Sequence, residues 1–354
     1  MEEVERWPCH LSRRAAATSG MITDARPLDP EFVPGDLRHR AGEVNTLTAA
    51  LRPVTRGDHP NPCLLTGPSG TGKTCIARYT ATQLREEVLD VAVGYVNCWE
   101  DYSAYAALYR LLDEITTTAD IHRQSTPRDE LLDRLRAYSD GPVVAILDEV
   151  DQLEDKRLLY DLYRTSGLTL ILIANREEAL FGELDDRVQS RLRTAEHIRF
   201  SQYSLDELVG ILRDRAEWSL RDGAITDREL HHIADAAAGD ARVAITTLRE
   251  AARYAQQNGA DQITQAAVGE AVPDAKAEIR QKSVDRLTPH QQVVYEIVME
   301  AGEISPSDLY AKYRERVDDP KSDRTVRNYL TKLERYNLIQ AVGENRGRTY
   351  EFIE

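Results

Sequence analysis

One eight-residue stretch constrains the fold of this 354-residue chain more than any other: Gly67-Pro68-Ser69-Gly70-Thr71-Gly72-Lys73-Thr74. The apolar run 63–66 before it has strand character, and the residues from 75 onward have helical spacing, so the stretch forms a strand-to-helix turn. Glycines at such a turn let backbone N–H groups converge on phosphate oxygens, and the helix N-terminus adds partial positive charge. The pattern predicts that Lys73 contacts the β- and γ-phosphates of a nucleotide and that the Thr74 hydroxyl binds Mg²⁺. A chance glycine turn before a helix is the alternative.

Polar side chains follow two continuous apolar runs further along the chain. The run 142–147 ends in Asp148 and Glu149, and the run 168–174 ends in Asn175. Near-continuous hydrophobicity is typical of strands covered on both faces of a parallel sheet, whose ligands bind at the carboxyl edge. We predict that Asp148 holds Mg²⁺, that Glu149 activates the attacking water, and that Asn175 orients this water or senses the γ-phosphate. The alternatives are a solvated acidic turn and an asparagine that caps a turn.

The stretch from 203 to about 271 predicts three helices. They run from Leu205 to Trp218, from Asp227 to Ala238, and onward from Gly239-Asp240-Ala241-Arg242, where Asp240 is the expected N-cap. Arg242 is then placed to bring its guanidinium to the γ-phosphate, and Arg187 and Arg191 offer a finger for a neighbouring protomer. Because arginine is abundant here, a surface or salt-bridge role is the alternative for each of these side chains.

The residues from 287 onward predict a winged helix, with three helices followed by a β-hairpin. Thr288, Ser305 and Ser322 are placed to cap the helices, and the strands 338–342 and 349–353 flank a turn. Within 321–349, seven basic residues outnumber three acidic ones, a local +4 in a chain of net charge −15. This contrast favours binding of duplex DNA by the third helix and the wing, with a protein-docking module as the alternative. The predicted DNA contacts are Arg324, Arg327, Asn328, Thr331, Lys332, Arg346 and Arg348.

Length and composition bound the class of protein. The chain is long enough for two or three domains, it has no apolar run of membrane-spanning length, and its first residues are acidic, so we expect a cytoplasmic protein with no membrane partner. The four cysteines lack metal-ligand spacing and are expected to be reduced core residues. The net charge of −15 and the scarcity of lysine suggest a high-salt cytoplasm. A GC-rich genome and an ordinary acidic surface would give the same composition.

These residues together resemble the AAA+ ATPases, with a phosphate loop, an acidic strand end, two sensors (Asn175 and Arg242) and a finger segment. More narrowly, three further features resemble the archaeal replication initiators related to the eukaryotic origin recognition complex and its cell-division-cycle loader. These features are the lead-in Phe32-Val33-Pro34 with Arg40-Ala41-Gly42-Glu43, the run Tyr95-Val96-Asn97-Cys98, and the C-terminal unit. The resemblance spans about residues 27–354.

The resemblance implies an α/β fold, in which an AAA+ phosphate-loop domain with a parallel sheet and a helical lid precedes an all-α-like winged-helix domain. It also implies that Tyr203, at the start of the lid, and Arg215, twelve residues later, bind nucleotide. The chain departs from the family pattern at Arg176 and Arg191, and the stretch 105–136 lacks the strongly basic residues of the family's DNA-gripping insertion. The expected parts are a flexible segment 1–25, an ATPase domain 26–200, a lid 201–275, a linker or connecting helix 276–286, and a winged helix 287–354.

The function implied by the resemblance is ATP-dependent initiation of DNA replication by a nucleoid-associated protein. Such a protein would bind ATP or ADP with Mg²⁺, hydrolyse ATP slowly as a switch, and bind duplex origin DNA. Its other expected partners are further initiator copies and the replicative helicase. The alternatives are a remodelling ATPase such as a clamp loader, which rapid DNA-stimulated turnover would favour, and an AAA+ transcription regulator, which would bind promoters.

Overall fold

The computed structural model describes residues 20–58, 60–88, 90–122, 126–182, 184–343 and 347–353. The chain divides into two compact units, of which the first ends at Val272 and the second begins at Pro273. Among the described residues, no helix is both long and apolar enough to cross a bilayer.

The first unit contains a five-stranded sheet in the order β2-β3-β4-β1-β5, in which every neighbouring pair is parallel. The strands are β1 (Cys63–Thr66), β2 (Ala92–Asn97), β3 (Val143–Asp148), β4 (Leu168–Ala174) and β5 (Glu196–Arg199). The predicted parallel α/β sheet is therefore confirmed. Strand β1, which leads into the phosphate loop, lies between β4 and β5, so the loop emerges within the sheet rather than at its edge.

Helices cover both faces of this sheet, which explains why its central strands are apolar throughout. Alternate residues of β3 enter different cores, because successive strand side chains point to opposite faces. Ala145 and Leu147 pack in one hydrophobic cluster, and Val144 and Ile146 pack in the other. The surrounding helices are α1 (Ala41–Leu51), α2 (Lys73–Glu87), α3 (Ala104–Ile115), α4 (Arg128–Ala137), α5 (Arg157–Tyr163), α6 (Glu177–Phe181) and α7 (Asp186–Leu192).

A helical lid follows the sheet and has its own hydrophobic core. Its helices are α8 (Leu205–Ser219), α9 (Asp227–Ala237), α10 (Ala241–Gln257) and α11 (Gln265–Asp285), and the last of these continues into the second unit. Ser204 and Glu207 form a capping box at the start of α8. The predicted N-cap of α10 is confirmed, since the Asp240 carboxylate accepts hydrogen bonds from the backbone N–H groups of Arg242 and Val243.

The expectation of a flexible segment 1–25 is wrong for residues 20–25, and residues 1–19 lie outside the described part of the chain. Met21 is only 4% exposed and belongs to the hydrophobic core of the lid. Ile22 forms a β-bridge with Leu220. A single buried side chain and a few backbone hydrogen bonds hold this stretch in place. Such contacts produce no periodic pattern in the sequence.

The second unit has the three helices and the hairpin that the sequence predicts. The elements are α12 (Pro289–Ala301), β6 (Glu303–Ile304), α13 (Pro306–Arg316), α14 (Asp323–Arg335), β7 (Ile339–Val342) and β8 (Thr349–Phe352). The short strand β6 joins the hairpin in an antiparallel sheet of order β6-β8-β7. Thr288, Ser305 and Ser322 are the N-caps of the three helices, as predicted.

Candidate functional site

Three adjacent strands bring the predicted catalytic residues to one edge of the sheet. Because β3, β4 and β1 are neighbours and run in parallel, the residues that follow them meet there. The Thr74 hydroxyl donates a hydrogen bond to Asp148 Oδ2 over 2.6 Å. The Lys73 ammonium donates to Asn175 Oδ1 over 3.3 Å. The structure thus joins the phosphate loop to both predicted strand-end groups.

The phosphate loop holds Lys73 by its own backbone. The Lys73 ammonium donates to the carbonyl oxygens of Gly67 and Pro68, each over 2.7 Å. Gly70 and Gly72 have φ values of 74° and 91°, a left-handed conformation that glycine adopts without the steric cost of a Cβ atom. Burial lowers the pKa of Lys73 to about 8, and the nearby Arg242 charge contributes, although Asp148 opposes the shift. Added negative charge in the cleft would therefore stabilise the protonated lysine.

Asp148 is a buried carboxylate surrounded by hydrogen-bond donors. Its Oδ2 accepts from Thr74 and from the Tyr95 hydroxyl over 3.0 Å, and its Oδ1 accepts from the backbone N–H of Glu149 over 2.9 Å. Burial raises the pKa of Asp148, against the effect of these hydrogen bonds. A hydroxyl oxygen beside a carboxylate is a donor set that fits Mg²⁺. The sequence gives no local signal of this contact, because Tyr95 reaches Asp148 from the neighbouring strand β2.

The lid contacts the phosphate loop through the start of α10. The backbone N–H of Ala241 donates to the Gly70 carbonyl over 3.0 Å. The Asp240 carboxylate lies so close to Gly70 that a Cβ atom there would come within 2.0 Å of Asp240 Oδ1. Arg242 donates from its guanidinium to Asp240 Oδ2 over 3.2 Å and lines the same cleft as Glu149. The predicted sensor arginine therefore lies beside the phosphate loop and within the candidate site.

Tyr203 lies between the phosphate loop and Arg40, an arginine of the site that no local sequence pattern indicates. A Cβ atom at Gly72 would come within 2.5 Å of the Tyr203 hydroxyl oxygen. The Arg40 guanidinium stacks over the Tyr203 ring at 4.2 Å and donates to Glu43 and to the Ser201 carbonyl. Arg40 is only 5% exposed, so these contacts fix its position. Its charge, in a chain rich in arginine, gave no local signal of this role.

Arg215 lies in the wall of the cleft, where it holds the lead-in segment 27–34. Its guanidinium donates to the carbonyl oxygens of Pro27 and Phe32 over 2.7 Å and 3.1 Å, and it lies over the Phe32 ring at 5.0 Å. These contacts make the lead-in one wall of the cleft and α8 another. Direct contact between Arg215 and a nucleotide remains a prediction.

The cleft between the sheet and the lid contains about 1070 Å³ of empty space, including the part that is open to solvent. Its lining comes from the phosphate loop, both strand ends, the lead-in and the lid: Pro30, Pro34, Asp36, Leu37, Arg38, Arg40, Ser69, Gly70, Thr71, Gly72, Lys73, Thr74, Cys75, Ile76, Asp148, Glu149, Asn175, Tyr203, Ile211, Asp214, Arg215, Trp218, Ala241, Arg242 and Ile245.

The two candidate finger arginines lie outside this cleft. Arg187 and Arg191 are exposed on α7, and the Arg191 guanidinium lies over the Tyr163 ring at 5.6 Å. Neither residue lines the cleft of its own chain. Action on a neighbouring protomer remains a prediction for both.

The third helix of the winged unit, α14, has one buried and one exposed face. The exposed predicted DNA contacts on it are Arg324, Arg327, Asn328 and Thr331. The assignment of Lys332 to this surface is wrong, because Lys332 is only 8% exposed. It follows Tyr329 by three positions and precedes the buried Leu333, which places it on the covered flank of the helix.

The wing differs from the prediction in how it holds its basic residues. The Arg348 guanidinium donates to both carboxylate oxygens of Glu334, over 3.1 Å and 3.2 Å, and lies over the Tyr350 ring at 5.2 Å. Arg348 therefore ties the wing to α14, and its contact with DNA stays a prediction. Arg346 lies outside the described residues.

Two family models match the first unit of the chain. Residues 56–180 match a model described as an AAA domain. Residues 209–272 match a model described as a Cdc6 AAA+ ATPase-type lid domain. The matched ranges contain the phosphate loop and both strand ends in the first case, and Arg215 and Arg242 in the second.

Similar proteins of known family cover nearly all of the chain. ORC1-type DNA replication protein 1 of Halobacterium salinarum is 56% identical over 308 residues, which cover 87% of this chain and 100% of that protein. ORC1-type DNA replication protein 9 of the same organism is 49% identical over 335 residues, with 94% of each chain covered. The solved Aeropyrum pernix ORC1 protein in complex with DNA aligns with a TM-score of 0.74 and 25% identity, over 93% of this chain and 92% of that one.

Proposed function

Because the chain belongs to the family of ORC1-type DNA replication proteins, we propose that it is an ATP-dependent replication initiator. It binds ATP or ADP with Mg²⁺ in the cleft between the sheet and the lid. It binds duplex origin DNA through its winged helix, and slow ATP hydrolysis acts as the switch between its states. It works at the nucleoid with further initiator copies and with the replicative helicase.

The observation that carries the proposal is the convergence of four groups on one cleft. The phosphate loop, Asp148 with Glu149, Asn175 and the lid arginine Arg242 come from separate parts of the sequence and line the same space. A phosphate loop, a paired acid and a strand-end amide are the parts that nucleotide hydrolysis requires. Chance glycine turns and solvated acidic turns would not place these groups around a single cavity.

Each residue of the cleft has a role in binding or hydrolysis under this proposal. Lys73 and the backbone N–H groups of the loop bind the phosphates, and phosphate oxygens replace the Gly67 and Pro68 carbonyls as acceptors for Lys73. Glu149 accepts a proton from the attacking water, which Asn175 orients. Arg242 brings positive charge to the γ-phosphate, where negative charge develops.

Mg²⁺ would be held by the Thr74 hydroxyl and the Asp148 carboxylate, and it would neutralise charge on the β- and γ-phosphates. In a neighbouring protomer's site, Arg187 or Arg191 would add a further guanidinium.

The winged helix supports the DNA-binding part of the proposal. Arg324 and Arg327 lie on the exposed face of α14 beside Asn328 and Thr331, and these side chains suit contacts with phosphates and base edges. A solved relative, the Aeropyrum pernix ORC1 protein, was determined in complex with DNA.

The test of the ATP site is Lys73→Ala in the full chain. We expect ATP affinity to fall by about 100-fold or more, because a charge-assisted contact with phosphate in a buried site is lost. Isothermal titration with MgATP measures the change. The control is Lys276→Ala, which removes an exposed lysine from α11. An unchanged ATP affinity in Lys73→Ala would contradict the site assignment.

The test of the cellular role is a map of where the protein binds on its chromosome. Occupancy at origin-flanking repeats is expected, and occupancy confined to promoters would instead favour a transcription regulator. In vitro, duplexes that carry these repeats should compete better than promoter duplexes of equal length.

A further inference from the structure

One face of α8 lines the nucleotide cleft with four side chains. None of them is needed to bind the phosphates or to hydrolyse ATP. Ile211, Asp214, Arg215 and Trp218 stand at positions i, i+3, i+4 and i+7, so they share one side of the helix. Two of them also contact the stretch 27–38, which contains the lead-in segment. Arg215 holds the carbonyls of residues 27 and 32, and Asp214 Oδ2 lies 3.2 Å from Arg38 Nε.

This face lies at the end of the cleft where the base of a nucleotide would be placed. The phosphate end is marked by the contacts of Lys73 and Thr74 with the strand ends and by the contact of α10 with Gly70. A nucleotide whose phosphates bind there extends its ribose and base away from the loop. The remaining walls of the cleft are the lead-in and the face of α8.

Trp218 is the residue of this face whose position the fold does not explain. Its side chain is 40% exposed, which is unusual for an indole. The hydrophobic clusters of the described residues include Ile211 among their packed neighbours, but they do not include Trp218. Trp218 lines the cleft, and an aromatic side chain there offers a flat apolar surface against which a planar ligand can pack.

Contacts made by its neighbours fix the part of α8 that carries Trp218. Asp214 is only 8% exposed, and its ion pair with Arg38 links α8 to the residues that follow the lead-in. Arg215, one turn before Trp218, makes two hydrogen bonds to the lead-in backbone. The helix segment that carries the indole is therefore fixed before the ligand arrives, which reduces the entropy cost of binding.

We propose that Trp218 packs its indole against the purine base of the bound nucleotide and so positions the nucleotide at the open end of the cleft. This inference rests on the proposed ATP site. Stacking tolerates any base, because every base has a π-face, so Trp218 contributes affinity more than selectivity between purines.

The experiment compares Trp218→Ala and Trp218→Phe with the unchanged chain, with MgATP and inorganic tripolyphosphate as probes. We expect ATP affinity to fall about tenfold in Trp218→Ala and by no more than about threefold in Trp218→Phe, which keeps an aromatic ring. Tripolyphosphate affinity should be the same in all three proteins, because this probe has no base. The matched control is Tyr102→Ala, which removes another side chain that is 40% exposed and does not line the cleft.

Tryptophan emission provides a second measurement. Of the three tryptophans, Trp99 is 2% exposed and Trp7 lies outside the described residues. The change in emission that ATP causes in the unchanged chain should be largely lost in Trp218→Phe. If that change persists, the inference is overturned.

Failure of the inference can be told apart from failure of the proposed function. If the unchanged chain binds neither probe, the ATP site itself is wrong. If it binds ATP and Trp218→Ala binds equally well, only the role of Trp218 is overturned. Equal losses of ATP and tripolyphosphate affinity in Trp218→Ala would show that the residue supports the fold of the lid, which also overturns the inference. A melting curve of each variant identifies unfolding.

Discussion

Glu149 shows how backbone strain can serve a site. It stands in the left-handed region, with φ 52° and ψ 43°, which costs a non-glycine residue about 1–3 kcal/mol. Local hydrogen bonds maintain this conformation, since the Glu149 N–H donates to Asp148 Oδ1 and its carbonyl accepts from the Gln152 N–H over 2.8 Å. Glu149 lines the cleft from this turn, directly after the buried strand β3.

Glu149→Gln should therefore bind ATP as the unchanged chain does but fail to hydrolyse it. The amide keeps the size and polarity of the side chain but cannot accept the proton of the attacking water, so turnover should fall by about 100-fold or more. Phosphate release under single-turnover conditions measures this loss, and titration with ATP measures retained binding. Glu154→Gln, at an exposed position nearby, is the control. Hydrolysis at the normal rate in Glu149→Gln would exclude it as the base.

The cysteines offer a pH-dependent test of the fold around the site. Burial raises the pKa of Cys75 from 9.0 to about 11 and that of Cys63 to about 12, while Cys98 is fully buried with its pKa also raised. Only the thiolate is nucleophilic, so the reactive fraction of Cys75 at pH 8 is about 100-fold below that of a thiol of pKa 9. Cys9, the fourth cysteine, lies outside the described residues.

In a Cys9→Ser variant at pH 8, we expect alkylation by iodoacetamide to be about 100-fold slower in the native protein than in guanidinium. Raising the pH towards 11 should accelerate modification of Cys75, because its thiol then ionises. Mass spectrometry of the modified peptides measures each site. Rapid modification of Cys63 at pH 8 in the native protein would contradict the buried position of β1.

Among the elements, α14 most clearly separates a buried side that packs from an exposed side that is predicted to bind. Its buried residues pack the winged unit, while the exposed predicted contacts Arg324, Arg327, Asn328 and Thr331 occupy the other side. The N-cap Ser322 accepts a hydrogen bond from the Thr325 N–H, an interaction that contributes about 1 kcal/mol to helix stability. Substitutions on the exposed side should thus change binding without changing the fold.

Replacing Arg324 and Arg327 together with Ala should weaken duplex binding. We expect the affinity to fall about tenfold or more at 0.15 M salt and the slope of log K against log salt to become shallower by about 2, because two phosphate contacts are lost. Fluorescence anisotropy over a salt series measures both quantities. The control is the double variant Lys276→Ala and Lys282→Ala, which removes the same charge from exposed positions on α11. Equal losses in the two double variants would show a diffuse charge effect rather than a contact by α14.

At the scale of the whole molecule, the high net negative charge affects the stability of the fold. A net charge of −15 on 354 residues produces self-repulsion that favours expanded states, and salt screens it over a Debye length of about 3 Å at 1 M. Most of the described ion pairs include at least one exposed partner, and pairs in which both partners are exposed contribute little to stability. The fold should therefore depend on the ionic strength of its surroundings more than a neutral protein does.

We expect the melting temperature to rise by about 1–3 °C between 0.1 M and 2 M KCl, since about 1–2 kcal/mol of repulsion is screened. Calorimetry or the far-ultraviolet circular dichroism signal measures the transition. Sucrose at matched osmolality is the control, because it favours the compact state without screening charge. A melting temperature that is constant or falls with KCl would contradict the expectation. Duplex affinity should show the opposite response and decrease with salt.

Much of the fold and the site could be predicted because the signals are local. A run of apolar residues that ends in Asp148 indicates a buried strand with a polar end, and an aspartate before an amphipathic stretch indicates the cap of α10. Lys332 and residues 20–25 could not be predicted, since their burial depends on elements distant in sequence. Helical periodicity does not resolve a residue at the border between two faces, and one buried methionine produces no pattern.

The order of residues alone indicated the parallel sheet, the phosphate loop, the acidic strand end and the three helices with a hairpin, because each of their elements has a pattern local to its own residues. Tertiary structure alone decided that Arg40 stacks on Tyr203, that Arg215 holds the lead-in, and that Trp218 lines the cleft. These contacts join segments that lie far apart along the chain. Their formation depends on how the lid folds back over the sheet, which no local pattern of side chains encodes.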